Sequence, residues 1–511
     1  MHNRLSGITT LCCLLALCIF PRLNAQAISA PADREFRHLR IYQVMVEAYR
    51  DGDPERNYGT GYGNSSHRGD LRGIIQALPY IRSLGMNALW LTPIFDSGAG
   101  QGPDPRLEAT GYFPKDYFKI DPKFGTFEDA RELVDTAHAL GMYVLFDGVF
   151  GHHKGDVVPS PRGHVPAGDP AQVSWPESLP FYKEVATYWI DTLGIDGWRL
   201  DQAYQIPIPM LRELREAIRS AAEKRRRAGE QWGTLGYVVG EVWKRAPNIA
   251  RYAYGDDDEP GLLSAFDFPL RYKLVQVLAV EEKGFGHQPA SVLEQGYRTH
   301  ALYPAHAVPN LMLGNHDLVR FGDLIQRAGY AGPESETYWR RHRCALAFLA
   351  AFSGPITLYY GEEYGDEIAG FSTAVSAQDG CVQKGLCDDH VARNDGKISG
   401  FTEQQKALQN FVRRLFALRA AHPALWRGER RNLLATQHLY LDLKYAGTDS
   451  ILFAMNTGPA TEYLRLAQFN GLRQKFRDAF SGELFDPAGD RMIELPGLSV
   501  KFLIAEPAND E

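Results

Sequence analysis

Eight short, almost wholly apolar runs recur between residues 41 and 360 with helix-like stretches between them, and this alternation constrains the fold more than any other feature. The runs are Ile41 to Val46, Ala88 to Leu91, Tyr143 to Phe146, Gly197 to Leu200, Tyr237 to Val239, Leu263 to Phe266, Leu311 to Leu313 and Ile356 to Tyr360. A strand with one wet face alternates apolar and polar residues. Near-continuous runs belong to strands covered on both faces, as in a parallel sheet. Between them, Phe127 to Leu140 and Leu211 to Arg225 carry amphipathic helical spacing. The pattern predicts an α/β chain built as a (β/α)8 barrel, although a doubly wound sheet would show the same periodicity.

Two interruptions and a change of rhythm set the domain organisation. After the third run, His152 to Trp175 is rich in Gly, Pro and His and predicts a short insertion at 152–176, on the face where barrels carry functional loops. Gly365 to Ser399, after the eighth run, is again irregular. A helix follows from Thr402 to Ala421, with Leu408, Phe411, Val412, Leu415 and Leu418 along one side. Beyond Pro423 the segments become short and alternating, as in Leu439 to Leu443, Ile451 to Met455 and Val500 to Ile504. This predicts a barrel over 37–425 and a C-terminal antiparallel β-sandwich over 426–511.

The first residues differ from the rest. Arg4 precedes an apolar stretch from Ile8 to Phe20, and Leu23-Asn24-Ala25 offers small residues for cleavage. Residues 1–25 are therefore expected to be a signal peptide, too short to span a bilayer, and the chain to be exported to the periplasm or beyond. Three of the six cysteines fall in that segment. An exported chain can join Cys381 to Cys387, closing a small loop worth roughly 2–3 kcal/mol in the chain-entropy model. Cys344 sits in an apolar run and is expected to be a core thiol. With 62 acidic against 55 basic residues and no long basic run, no nucleic-acid partner is expected and a neutral polar substrate is favoured.

Polar residues gather just past the strand ends. Asp147 follows the third run, Arg199 and Asp201 end the fourth, Glu241 ends the fifth, and His316 and Asp317 follow the seventh. In a barrel these positions converge at the C-terminal face. An acid after a strand is often only a helix cap. Four acids, an arginine and a histidine converging on one mouth ask for more. Glycoside cleavage wants one ionised carboxylate to attack the anomeric carbon and one protonated carboxyl for the leaving oxygen, with no obligatory cofactor. Arg199, two residues before Asp201 on a strand, shares its side and would keep it ionised. Divalent-metal hydrolysis also uses carboxylate clusters but normally wants more histidines at short spacing.

On these motifs the sequence resembles the α-amylase superfamily of glycoside hydrolases over roughly residues 38 to 425. Asp147-Gly148-Val149-Phe150-Gly151-His152, Gly197-Trp198-Arg199-Leu200-Asp201, Val239-Gly240-Glu241-Val242-Trp243 and Leu313-Gly314-Asn315-His316-Asp317 follow its four signatures in order. Gly69 to Ile74, Leu91 to Phe95, Gly111-Tyr112, Asp116-Tyr117 and Tyr360 to Glu363 support the match. The resemblance implies Asp201 as nucleophile, Glu241 as general acid/base and Asp317 as the carboxylate that grips the distorted sugar. It implies Tyr112, His152, Arg199, His316, Arg320 and Asp147 around the substrate, and an α-glucan or malto-oligosaccharide as that substrate.

The match departs in places. Gly151 stands where the family usually has Asn, a common calcium ligand, and the acidic motif of the insertion is not evident. No cofactor is required for the chemistry. A structural calcium, if one exists, would turn to another site such as Asp51 and Asp53. Gln202-Ala203-Tyr204-Gln205 lacks the Lys-His pair of many endo-amylases, and with the short insertion this points to short α-glucosides. A transglycosylase or glucosyltransferase on the same scaffold would carry the same acids. A carbohydrate-binding relative without activity would have no reason to keep all of them.

Overall fold

The computed structural model describes residues 36–56, 65–98, 110–371, 391–489 and 491–507. The expected signal peptide and the Cys381–Cys387 pair lie outside them, while Cys344 is a buried free thiol. The eight runs become strands β1 (Arg40–Val44), β2 (Ala88–Leu91), β3 (Tyr143–Gly148), β4 (Gly197–Leu200), β5 (Tyr237–Gly240), β6 (Ser264–Ala265), β7 (Leu311–Met312) and β8 (Ile356–Tyr359). All pair in parallel, in the order β6-β5-β4-β3-β2-β1-β8-β7. The two ends meet where Phe266 bridges Asn310 in parallel. There the Asn310 N–H donates to the Ala265 carbonyl at 2.9 Å and the Asp267 N–H to the Asn310 carbonyl at 2.8 Å. This closure makes the sheet a barrel and excludes the doubly wound alternative. The first strand is shorter than its apolar run. The Val46 N–H turns to Thr92 Oγ1 at 3.0 Å, and Val46–Tyr49 winds into a helical turn.

The helices between strands carry readable start signals. Asp70 accepts from the Gly73 N–H at the head of Leu71–Ser83, Thr126 and Asp129 form a capping box before Phe127–Ala139, and Thr402 and Gln405 form another before Glu403–Ala421. Period two along the strands then divides the layers. Leu89, Leu91, Val144, Phe146, Trp198 and Leu200 pack outward among the helices. Ile41, Ala88, Trp90, Leu145, Tyr237, Val239 and Met312 fill the barrel interior. Each fully buried apolar side chain of this kind stabilises by roughly 1.5–3 kcal/mol. The inward register that holds Leu145 and Val239 continues two residues on to Asp147 and Glu241, so the same alternation delivers polar groups to the C-terminal mouth.

Residues 152–176 form an irregular excursion with one small hairpin, Gly168–Asp169 against Gln172–Val173, before helix Leu179–Leu193. The C-terminal strands are β9 (Glu429–Ala435), β10 (Leu439–Ala446), β11 (Asp449–Asn456), β12 (Glu462–Leu464), β13 (Phe476–Asp478), β14 (Leu484–Phe485), β15 (Ile493–Leu495) and β16 (Ser499–Ala505). A six-stranded antiparallel sheet runs β9-β10-β11-β16-β13-β14, and β12 pairs with β15. Leu441, Leu452 and Leu503 pack with Leu464, Ile493 and Leu495 between these two layers. The sheet's other face sets Tyr440 and Phe453 against Phe348 of the barrel.

Candidate active site

Arg199 organises the mouth of the barrel. It is fully buried, and its register partner on β3 is Asp147. One terminal nitrogen, Nη1, donates to both Asp147 oxygens at 2.8 and 2.9 Å and to Asp201 Oδ1 at 2.9 Å. The other, Nη2, lies 3.0 Å from Glu241 Oε2. One guanidinium thus holds three carboxyl groups from the ends of three adjacent strands, and brings Asp201 and Glu241 to the same cleft. Asp147 is saturated, since Trp90 Nε1 and the Tyr112 hydroxyl also donate to its Oδ2 at 3.1 and 2.8 Å. It is an anchor for Arg199. Asp201 and Glu241 keep free oxygen valences: Glu241 Oε2 accepts the Gln202 N–H at 3.0 Å, and Asp201 Oδ2 lies 3.8 Å from His152 Nε2.

Burial, opposed by Arg199, raises both acids. Asp201 is pushed up to about 7, with Asp147 and Asp317 adding to the rise, and Glu241 to about 7, with Asp201 and Asp317 adding to it. Two like charges beside one cation cannot both be carried cheaply, so the pair retains a proton near neutrality. Burial also raises Asp147, to about 6.

Asp317 is the contrast. Burial would raise it, but His316, Arg393 and Arg199 outweigh that and hold it below the usual carboxylate range. Arg393 Nη2 donates to its Oδ1 at 2.7 Å, and His316 Nε2 lies 3.2 Å from its Oδ2. The Gln43 amide nitrogen faces His316 Nδ1 at 2.7 Å, which leaves the imidazole proton on Nε2, toward Asp317. Tyr112 stacks on His316 with centroids 5.3 Å apart and planes 8° apart. Its approach depends on Gly111, at φ +82°, where a Cβ would lie 2.1 Å from the Pro93 carbonyl oxygen.

The structure therefore brings Asp147, Arg199, Asp201, Glu241, His152, Tyr112, His316 and Asp317 together. Arg320 requires a correction. Rather than reaching the substrate side, it is fully buried, donating to the Tyr360 carbonyl and to Asn394 Oδ1 at 3.0 and 2.8 Å, with Asp366 at 3.5 Å. The second arginine at the site, beside Arg199, is Arg393, which lies in the irregular stretch after β8 and leaves no periodic signal in the sequence. Gln43 was findable: it is a polar residue in the inward register, two positions after Ile41. Asp51 and Asp53 stand apart from this cluster. Asp53 pairs with Arg56 at 2.8 Å, and no group of three or more His, Cys, Asp or Glu placed for a metal occurs among the described residues. Position 151 does not fit a calcium ligand either, because a Cβ there would lie 2.1 Å from Gln205 Oε1.

The comparisons agree with this geometry. The family model for the α-amylase catalytic domain matches residues 43–160 and 180–444. The chain is 27% identical over 473 residues to a cyclomaltodextrinase of Thermoanaerobacter pseudethanolicus, covering 84% of this chain and 72% of that one. It is 27% identical to neopullulanase 2 of Thermoactinomyces vulgaris, over 77% of this chain and 64% of the relative. Among solved structures, AmyP in complex with maltose is 49% identical, with a TM-score of 0.89 over 93% of this chain and 98% of that one. A variant of AmyP in complex with maltotriose superposes with a TM-score of 0.90. An arginine-centred set of carboxylates on a closed (β/α)8 barrel, with this family match across most of its length, places the chain in the α-amylase family of glycoside hydrolases.

Proposed function

We propose that this enzyme cleaves α-glucosidic bonds of malto-oligosaccharides or related short α-glucans by double displacement, with Asp201 as nucleophile and Glu241 as acid/base. The observation that carries the reading is the Arg199 guanidinium shared between Asp201 Oδ1 and Glu241 Oε2 at 2.9 and 3.0 Å. In the first step an Asp201 oxygen bonds to the anomeric carbon as the glycosidic C–O bond breaks, and the Glu241 proton passes to the leaving oxygen. In the second, ionised Glu241 takes a proton from water, whose oxygen bonds to the same carbon and releases Asp201. The reaction needs no cofactor. Asp317, kept ionised by Arg393 and His316, is placed to hold sugar hydroxyls and favour the positive transition state. Burial lowers His152 and so favours its neutral imidazole, which can both donate and accept a hydrogen bond.

The short excursion at 152–176 supports a short substrate, and the names of the relatives and the ligands seen in AmyP favour α-linked glucose chains. Product profiling on maltotetraose, a cyclodextrin and soluble starch, with anomer detection by NMR, tests the proposal. Retained α-anomers from the oligosaccharides are expected; inverted product would remove the double displacement. Export remains part of the proposal, resting on the apolar run Ile8 to Phe20, and is checked by N-terminal sequencing of the protein recovered from its native host.

A further inference from the structure

A second cavity, of about 470 Å³, opens between the barrel and the C-terminal sheet and shares no lining residue with the active site. His287, Tyr330, Arg340, Arg341, His438 and Gly497 are among its walls. We propose that it binds a small organic anion, a sugar-sized molecule bearing a phosphate or carboxylate group, on the guanidinium of Arg341.

Arg341 lies on helix Glu336–Ala350 and is only 7% exposed. Among the described residues it forms no ion pair. One nitrogen donates to the Leu278 carbonyl at 2.6 Å, Nε has no acceptor, and the guanidinium carbon sits 3.3 Å from the centroid of the Tyr330 ring. A buried cation whose partners, the Leu278 carbonyl and the ring and hydroxyl of Tyr330, are all neutral is poorly compensated. Another fully buried arginine of this molecule, Arg419, shows what compensation without carboxylates looks like: it donates to four carbonyl oxygens. Arg341 has one such bond and lines an open cavity instead. Burial lowers its pKa, the direction expected of a guanidinium with no anion beside it.

The rest of the wall has the same sign. Arg340, His287 and His438 line the cavity with it, against a single acid, Glu336. That acid is committed to Arg340 at 3.5 Å and to Arg343. Backbone strain gathers here as well. His287 and Leu498, both lining, adopt φ of +53° and +52° in the left-handed region. Such strain persists where the surroundings enforce it, often at ligand sites. The volume falls within the range of small-molecule sites, roughly 300–1,000 Å³. The flat guanidinium fork suits phosphate and carboxylate alike, and Tyr330, Val277 and Leu498 supply an apolar wall for the body of the ligand.

The test is isothermal titration of the full chain at constant ionic strength with glucose 1-phosphate, gluconate and inorganic phosphate. At least one is expected to bind saturably at one site per chain, unaffected by saturating maltotriose; the arm that binds distinguishes phosphate from carboxylate. Arg341→Met should weaken that binding tenfold or more. Because Arg341→Met could also disturb folding, Arg340→Gln, at a half-exposed position, and Thr457→Trp, which fills the cavity, serve as independent variants. Weaker binding in both supports the site. No saturable binding of any probe, affinity unchanged in both variants, or displacement by maltotriose overturns it.

Discussion

Arg199 and Arg419 are both fully buried, at opposite ends of the same barrel, and their surroundings could hardly differ more. Arg199, at the C-terminal mouth, is shared by Asp147, Asp201 and Glu241. Its own proton is held more tightly than in water by those anions, despite burial. Arg419, beneath the strands, meets no carboxylate among the described residues. It donates to the carbonyls of Ala350, Phe352 and Leu425 at 2.9, 2.6 and 2.9 Å and to that of Gly354, and burial drives its pKa down. Ala350 ends a helix, where carbonyls lack intrahelical partners and the dipole favours a cation. The lower arginine therefore ties a helix end to the strand entry and to the C-terminal helical turn. The upper one does something a neutral donor could not: it sets how readily two acids lose their protons. A buried charge met by dipoles is structural; a buried charge met by too many opposite charges is chemical.

The largest expected effect breaks the upper half of the comparison. Asp201→Asn keeps the shape and removes the attacking charge, so kcat should fall on the order of 10⁴-fold. The melting temperature should not fall, since an acid that burial had destabilised is gone. Steady-state kinetics beside a thermal melt checks both, and substantial residual turnover would reject Asp201 as nucleophile. Next comes the exchange of both arginines. Arg199→Met strands three carboxyl groups and should cost about 3–5 kcal/mol of stability as well as most of the activity. Arg419→Met leaves four carbonyls without their donor. It should cost about 2–4 kcal/mol while the folded fraction keeps its kcat. Denaturant unfolding with kinetics on the same samples decides it; equal loss of kcat in both variants would erase the distinction.

How much of this contrast was legible beforehand follows from what periodicity can encode. The eight strands and the helix from Thr402 were readable from their apolar periodicity, and so were the positions of Asp147, Arg199, Asp201 and Glu241, because alternate residues of each strand share the inward side and these four sit on it at the strand ends. Arg393 and the true place of Arg320 were not. Both depend on where Arg393 and Asn394 sit against the mouth, which local pattern does not specify. Arg419 carries no signal in the sequence pattern, and only the tertiary convergence of Ala350, Gly354 and Leu425 gives it a role. The short first strand was also hidden, since Thr92 Oγ1 takes a hydrogen bond that belongs to no ladder.

A smaller effect sharpens the comparison through pH. Asp201 and Glu241 are raised from 3.8 and 4.5 to about 7. Between about pH 4 and 7 the folded chain then holds protons the unfolded chain has released, so these groups make stability fall as pH rises through that window. At the lower end, Lys444 donates to the Ala351 carbonyl at 2.6 Å, and burial lowers it from 10.5 to about 7. From about pH 7 to 10.5 the unfolded chain binds the extra proton, so this group makes stability rise with pH. Glu241→Gln should flatten the first slope and Lys444→Met the second, in melts taken from pH 4 to 10. In activity, the acid pair should give a bell-shaped kcat/KM whose two limbs belong to the pair jointly. Identical melting profiles for both variants and the parent would remove either group from the account.

The smallest expected effect is none at all, and it asks whether the two ends rely on the protein's own cations alone. Gln205 fills the space beside Gly151, placing Oε1 where a side chain at 151 would begin, and its Oε1 lies 3.3 Å from His152 Nδ1. Asp53 is occupied by Arg56 and by the Glu55 N–H at 3.2 Å. A chelator is therefore expected to leave the melting temperature unmoved. Gln205→Ala should vacate that space, slacken His152 and lower kcat/KM severalfold with little change in stability, because Gln205 is only partly buried. If a chelator instead lowers the midpoint by several degrees and calcium restores it, a metal shares the task assigned here to Arg199 and Arg419. The contrast between a chemical and a structural arginine would then need a third, inorganic term.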